Sequence, residues 1–67
     1  MTEYERVLYW IRTEIPTYLD KCGSAQEFET EFHGVCASYY WKQIAIEMAI
    51  LRWPEATMAL MDLRGNN

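Results

Sequence analysis

The sequence predicts an all-α fold, a compact bundle of three to four helices with a kinked first helix and an apolar third helix at its centre. Three observations predict it. Capping-box patterns open two segments, Thr2-Glu3-Tyr4-Glu5 and Ser24-Ala25-Gln26-Glu27. Between breakers, the apolar residues recur at the spacing of a 3.6-residue turn. The breakers Gly23, Gly34 and Pro54 cut the chain into pieces of helix length.

The first helix is expected from about Glu3 to Cys22. Tyr4, Val7, Leu8, Ile11, Ile15, Tyr18, Leu19 and Cys22 fall within an arc about 120° wide on a helical projection. Pro16 interrupts the run, but the apolar phase is the same on both sides of it and Pro16 projects outward. One kinked helix is therefore preferred over two short ones. Gly23 supplies a helix-ending residue.

The second helix begins after Ser24. Phe28 and Phe32, four apart, share a face, and Gly34 ends the segment. Residues 27–32 also alternate with the period of a strand. The cap, the glycine and the lack of a second strand candidate favour helix.

The third helix is expected from Val35 to Trp53, where 14 of 19 residues are apolar. Its apolar arc is about 220° wide, which requires cover on two sides, from this chain or from a second copy. Ser38, Lys42, Ala45, Ala49 and Arg52 form the side expected to face water. Glu47 projects near the middle of the apolar arc. It is expected to be buried and paired, with Arg12 or a tyrosine hydroxyl, or to lie at a dimer axis. Pro54 ends this helix and pushes Trp53 out of the α region. Pro54 and Glu55 then open a last helix that runs to Arg64-Gly65, with Asn66 and Asn67 as a frayed tail.

Residues 1–67 thus form a single domain. The chain is 51% apolar, too apolar for a disordered composition. Segment 35–53 carries Lys42, Glu47 and Arg52 and is not a membrane span. The acidic start lacks the basic and apolar regions of a signal peptide. A cytoplasmic chain with free Cys22 and Cys36 is the expectation.

Catalytic and metal chemistry find little to work with. His33 and Cys36 stand at H-x-x-C spacing and Cys22 lies earlier, but zinc sites use four ligands in paired short spacings. No cofactor is expected. A nucleophilic thiol needs an electropositive setting, and the surroundings of His33 are acidic. Phosphate-loop, G-x-S-x-G and H-E-x-x-H patterns are absent. Direct nucleic-acid binding is disfavoured because six basic residues are scattered among ten acidic ones.

The net charge of -4 is unevenly placed. Residues 1–33 hold seven acids (Glu3, Glu5, Glu14, Asp20, Glu27, Glu29, Glu31) against three bases, and residues 34–67 hold three of each. On a helix, Glu27 and Glu31 stand about 6 Å apart along the axis, so an acidic row can imitate part of a phosphate backbone. Glu27, Glu29, Glu31 and Asp20, with Glu14 and Glu3, are the candidate contacts for a protein partner with a basic groove. Tyr9, Trp10, Met58 and Met61 lie off their apolar stripes and are the candidate apolar contacts.

In length, acidity and lack of catalytic motifs, the chain resembles the small acidic inhibitors encoded by phages and mobile elements, such as anti-CRISPR proteins. That resemblance implies stoichiometric inhibition of a host nucleic-acid-handling complex, by an acidic surface that mimics DNA. The expected function is therefore a non-enzymatic protein–protein interaction module of this kind. The alternatives are a structural or regulatory homodimer built on the third helix, and a small enzyme or metal protein using Cys22, His33 and Cys36.

Overall fold

The computed structural model describes residues 1–65, which form helices and turns with no strand among them. The order is α1 (Glu3–Tyr9), a π turn (Trp10–Glu14), α2 (Ile15–Cys22), α3 (Ala25–Phe32), α4 (Tyr39–Arg52), a 3-10 turn (Pro54–Ala56) and α5 (Thr57–Gly65). The expected tail, Asn66 and Asn67, lies outside the described residues.

The helix starts follow from the caps. Thr2 Oγ1 accepts from the Glu5 N–H at 3.1 Å, and Glu5 Oε1 accepts from the Thr2 N–H at 2.9 Å, so the first capping box is complete. Only half of the second forms: Ser24 Oγ accepts from the Glu27 N–H. Helix, not strand, therefore covers residues 25–32. Gly23 closes α2 at a φ of 80°, in the left-handed region that favours glycine.

A helix runs through Pro16 as expected, but a π turn precedes the proline. The Ile15 N–H reaches back five residues to the Trp10 carbonyl instead of four to Ile11. A proline at position 16 has no N–H for the Arg12 carbonyl and crowds it, and the wider turn relieves both faults. The extra residue rotates everything upstream. Residues 10 and 15, rather than 11 and 15, now share a face. Trp10, expected to one side, packs against the core, while Ile11 and Tyr4, expected on the apolar stripe, are exposed. Pro16, expected to point outward, is half-buried.

The third helix is shorter than expected. It begins at Tyr39, because Ser38 is its cap and accepts from the Trp41 N–H at 3.2 Å. Residues 35–38 form no helix. Its orientation is also reversed. Ala45 and Ala49, placed by sequence on the wet side, are fully buried, and Trp41 lies on the same side. Tyr40, Glu47 and Leu51, from the middle of the supposed apolar arc, face solvent. The buried face mixes sizes, Ala45 and Ala49 with Trp41 and Ile46, and the alanines let neighbouring backbones approach where a larger side chain would hold them apart.

The core collects Ile15, Leu19 and Cys22 from α2, Phe28 and Phe32 from α3, Trp41, Ala45, Ile46 and Ala49 from α4, and Leu60 from α5. Phe28 is its hub. Its ring stacks on Phe32 at 4.9 Å and meets the edge of Tyr18 at 5.9 Å and Trp53 at 6.1 Å. No residue of α1 is buried. Trp53 leaves the helical region at φ -126° and ψ 70°, as the following proline requires, and the chain turns into α5.

Candidate functional site

The turn at Trp53-Pro54 folds α5 back along α4, and an ion pair links the two helices. Glu47 Oε2 meets Arg64 Nη1 at 2.7 Å. The expectation of a buried Glu47 is thereby corrected. Its side chain is 55% exposed, and its partner is Arg64 rather than Arg12 or a tyrosine. Leu51 follows Glu47 by one turn, and Met61 precedes Arg64 by one turn. Both steps lead toward the Trp53 turn. Met58 stands a further turn along α5, and Tyr40 lies two turns before Glu47 on α4.

These side chains are large, apolar and open to solvent. Relative exposure is 82% for Leu51 and for Met58, 71% for Tyr40 and 49% for Met61. Tyr40 also joins Ile44, Val7 and Trp10 around a groove of about 330 Å³ between α1 and α4. Glu3, Arg6 and Ser38 complete its lining. Tyr40 thus joins the groove to the exposed side of α4. Glu3 and Arg6 line the groove together, Glu47 pairs with Arg64, and exposed Glu55 and Asp62 stand within a turn of Met58.

The exposure of Met58 and Met61 was legible in the sequence, because the phase of α5 sets them opposite Ala56, Ala59 and Leu60. Tyr40 and Leu51 were missed because they were assigned to the covered arc. Two signals could have found them. Glu47 in mid-arc marks a face that meets water, and Ala45 with Ala49 at i, i+4 marks a face that packs closely. Trp10 reaches the groove while packing on the core. Tyr9 is exposed beside Leu8 and Arg12, on a side of α1 separate from the groove.

The predicted acidic contacts do not form one row. Glu14 Oε1 accepts from the Trp41 indole N–H at 2.9 Å, joining the π turn to α4. Asp20 Oδ1 meets Arg52 Nη1 at 2.6 Å. Helical α3 puts Glu27 and Glu31 on one flank of the phenylalanine pair and Glu29 on the other. Glu3 lies in the apolar groove, away from α3 in sequence. Glu27 and Glu31 remain as an exposed pair with no ion-pair partner among the described residues.

Cys22 is buried, Cys36 is exposed, and His33 is exposed at the end of α3. Among the described residues no three His, Cys, Asp or Glu side chains gather in metal-binding geometry. Burial pushes the Cys22 thiol up, the Tyr18 hydroxyl pulls it part-way back, and the Glu31 and Glu27 carboxylates push it up again. The thiol keeps its proton near neutral pH and packs as an apolar group. Burial likewise raises the Tyr18 phenol, which is neutral in the fold.

No described helix is long and apolar enough to cross a membrane. Comparison with known protein families, curated proteins and solved structures finds no match to this chain.

Proposed function

We propose that this chain is a non-enzymatic protein-binding module, and that the outer face of α4 and α5 is the surface it binds with. The observation that carries this reading is the exposure of Tyr40 and Leu51 on α4 and of Met58 and Met61 on α5, the two helices of a single hairpin. Isolated exposed apolar residues are ordinary, but four large ones on one hairpin point to a binding surface. Tyrosine and methionine are enriched in protein interfaces, and charges are depleted at their centres. The test is capture of proteins by the immobilised chain, with Leu51→Lys and Met58→Lys as controls. Both positions are exposed, so the fold is expected to survive. Capture lost in both variants supports the reading, and capture equal to the native chain contradicts it.

A second reading rests on Glu27 and Glu31. Their shared, unpaired flank supports the narrower proposal of an anti-CRISPR-like inhibitor that acts in the cytoplasm on a complex with a basic groove. Such binding weakens with salt. Reversing both charges, Glu27→Lys with Glu31→Lys, should abolish it while helicity is unchanged. Binding that survives both the reversal and high salt contradicts this form.

A further inference from the structure

We propose that the occupant of the α4–α5 outer face is a second copy of this chain, paired about a two-fold axis. The proposal rests on the protein-binding reading of that face and names its partner. Charge is the first argument. A two-fold interface sets each patch against itself, so a group at one position meets whatever its mirror position carries. Both signs are present for that arrangement: Glu3 and Arg6 line the groove, Glu47 pairs with Arg64, and residues 34–67 hold three acids and three bases. Glu3 of one copy can face Arg6 of the other, with exposed Asp62, one turn beyond Met58, at the rim. A foreign partner selected by the net charge of -4 would find that charge on residues 1–33, not on a neutral hairpin.

Area is the second argument. An exposed side chain of this size presents on the order of 150 Å². Tyr40, Leu51, Met58 and Met61, with the groove walls, reach the lower end of what a stable pair buries, roughly 600 Å² per partner. Size is the third. A chain of 67 residues buries only about 60% of its unfolded surface, less than a larger domain does, and association is a common remedy.

The arrangement has a distinctive salt response. Each copy carries -4, so two copies repel at long range while their contact surfaces are neutral. Salt screens that repulsion, and the pair should tighten as ionic strength rises. A complex between acidic Glu27 and Glu31 and a basic groove would respond in the opposite sense.

Sedimentation velocity across a wide concentration range, at low and high salt, tests the proposal. The native chain should form a dimer that strengthens with salt. Leu51→Lys and Met58→Lys each put a charge into the apolar contact and should weaken it at least tenfold, with circular dichroism unchanged. Lysine also suits the last turn of α4 at position 51, which guards against a folding defect. A native chain monomeric at every concentration, or a dimer that both variants leave intact, would overturn the proposal. If the chain is monomeric but protein capture still depends on Leu51 and Met58, the second copy is excluded and the module stands. If capture ignores both residues, the module falls as well.

Discussion

At the residue scale, two of the acids link elements that are distant in sequence. Glu14 accepts from the Trp41 indole across 27 residues of sequence, and Asp20 reaches Arg52 across 32. Neither pairing has a local signature, so sequence spacing left both carboxylates looking free. Trp41 is buried, and its N–H is left without that acceptor if Glu14 is trimmed. Glu14→Ala should therefore cost about 1 kcal/mol in urea unfolding, and Glu14→Gln less, because the amide oxygen still accepts. The exposed Asp20–Arg52 pair should matter less, with Asp20→Asn costing under about 1 kcal/mol. Glu5 belongs to a local motif and was fully legible. Its hydrogen bonds from the Thr2 backbone and side chain hold its carboxyl below the ordinary 4.5. A depressed folded pKa contributes stability above the unfolded value, and that contribution is lost as pH falls through the folded one. Glu5→Gln keeps the bond and removes the titration. The variant should show a shallower fall of the urea midpoint as pH drops below about 4.5.

At the element scale, what is local in the chain was readable and what depends on a neighbour was not. Thr2, Ser24, Gly23 and Pro54 set helix ends through contacts within a turn of themselves, and those ends fall where the sequence puts them. Ser38 caps by the same means but was absorbed into an apolar run. The π turn inserts one residue into the phase, and a projection at constant 100° carries no record of it. The consequence is measurable. Trp10→Ala should destabilise the fold by about 2 kcal/mol, because Trp10 packs on the core, while exposed Ile11→Ala should cost under about 1 kcal/mol. A regular helix would give the reverse order. The face of α4 was misread because hydrophobicity ranks Ala45 and Ala49 below Tyr40 and Leu51. What decides burial there is how closely α4 must approach its neighbours. Ala49→Leu should overpack that contact and cost about 1–3 kcal/mol in denaturant unfolding.

At the scale of the whole molecule, the described chain folds on itself into a body with a radius of gyration of 11.5 Å. That is close to the roughly 11 Å expected for a chain of this length, so no element needs to be exchanged with a partner to make it compact. The excess of apolar residues noted in the sequence is real, but its location differs from the expectation. It lies on the exposed parts of α4 and α5 and in the groove beside α1, not in a central helix covered on two sides. The charge is divided as the sequence indicated, and the structure then divides it again by tying Glu14 and Asp20 to Trp41 and Arg52. Two surfaces of opposite character result, a neutral apolar one and an acidic one reduced to Glu27 and Glu31. Their opposite responses to salt separate the roles assigned to them. The most direct test of the apolar surface is the thermal midpoint of the native chain as a function of protein concentration, beside Leu51→Lys. Association linked to folding makes the native midpoint rise with concentration and leaves that of the variant constant. A native midpoint independent of concentration would contradict the account.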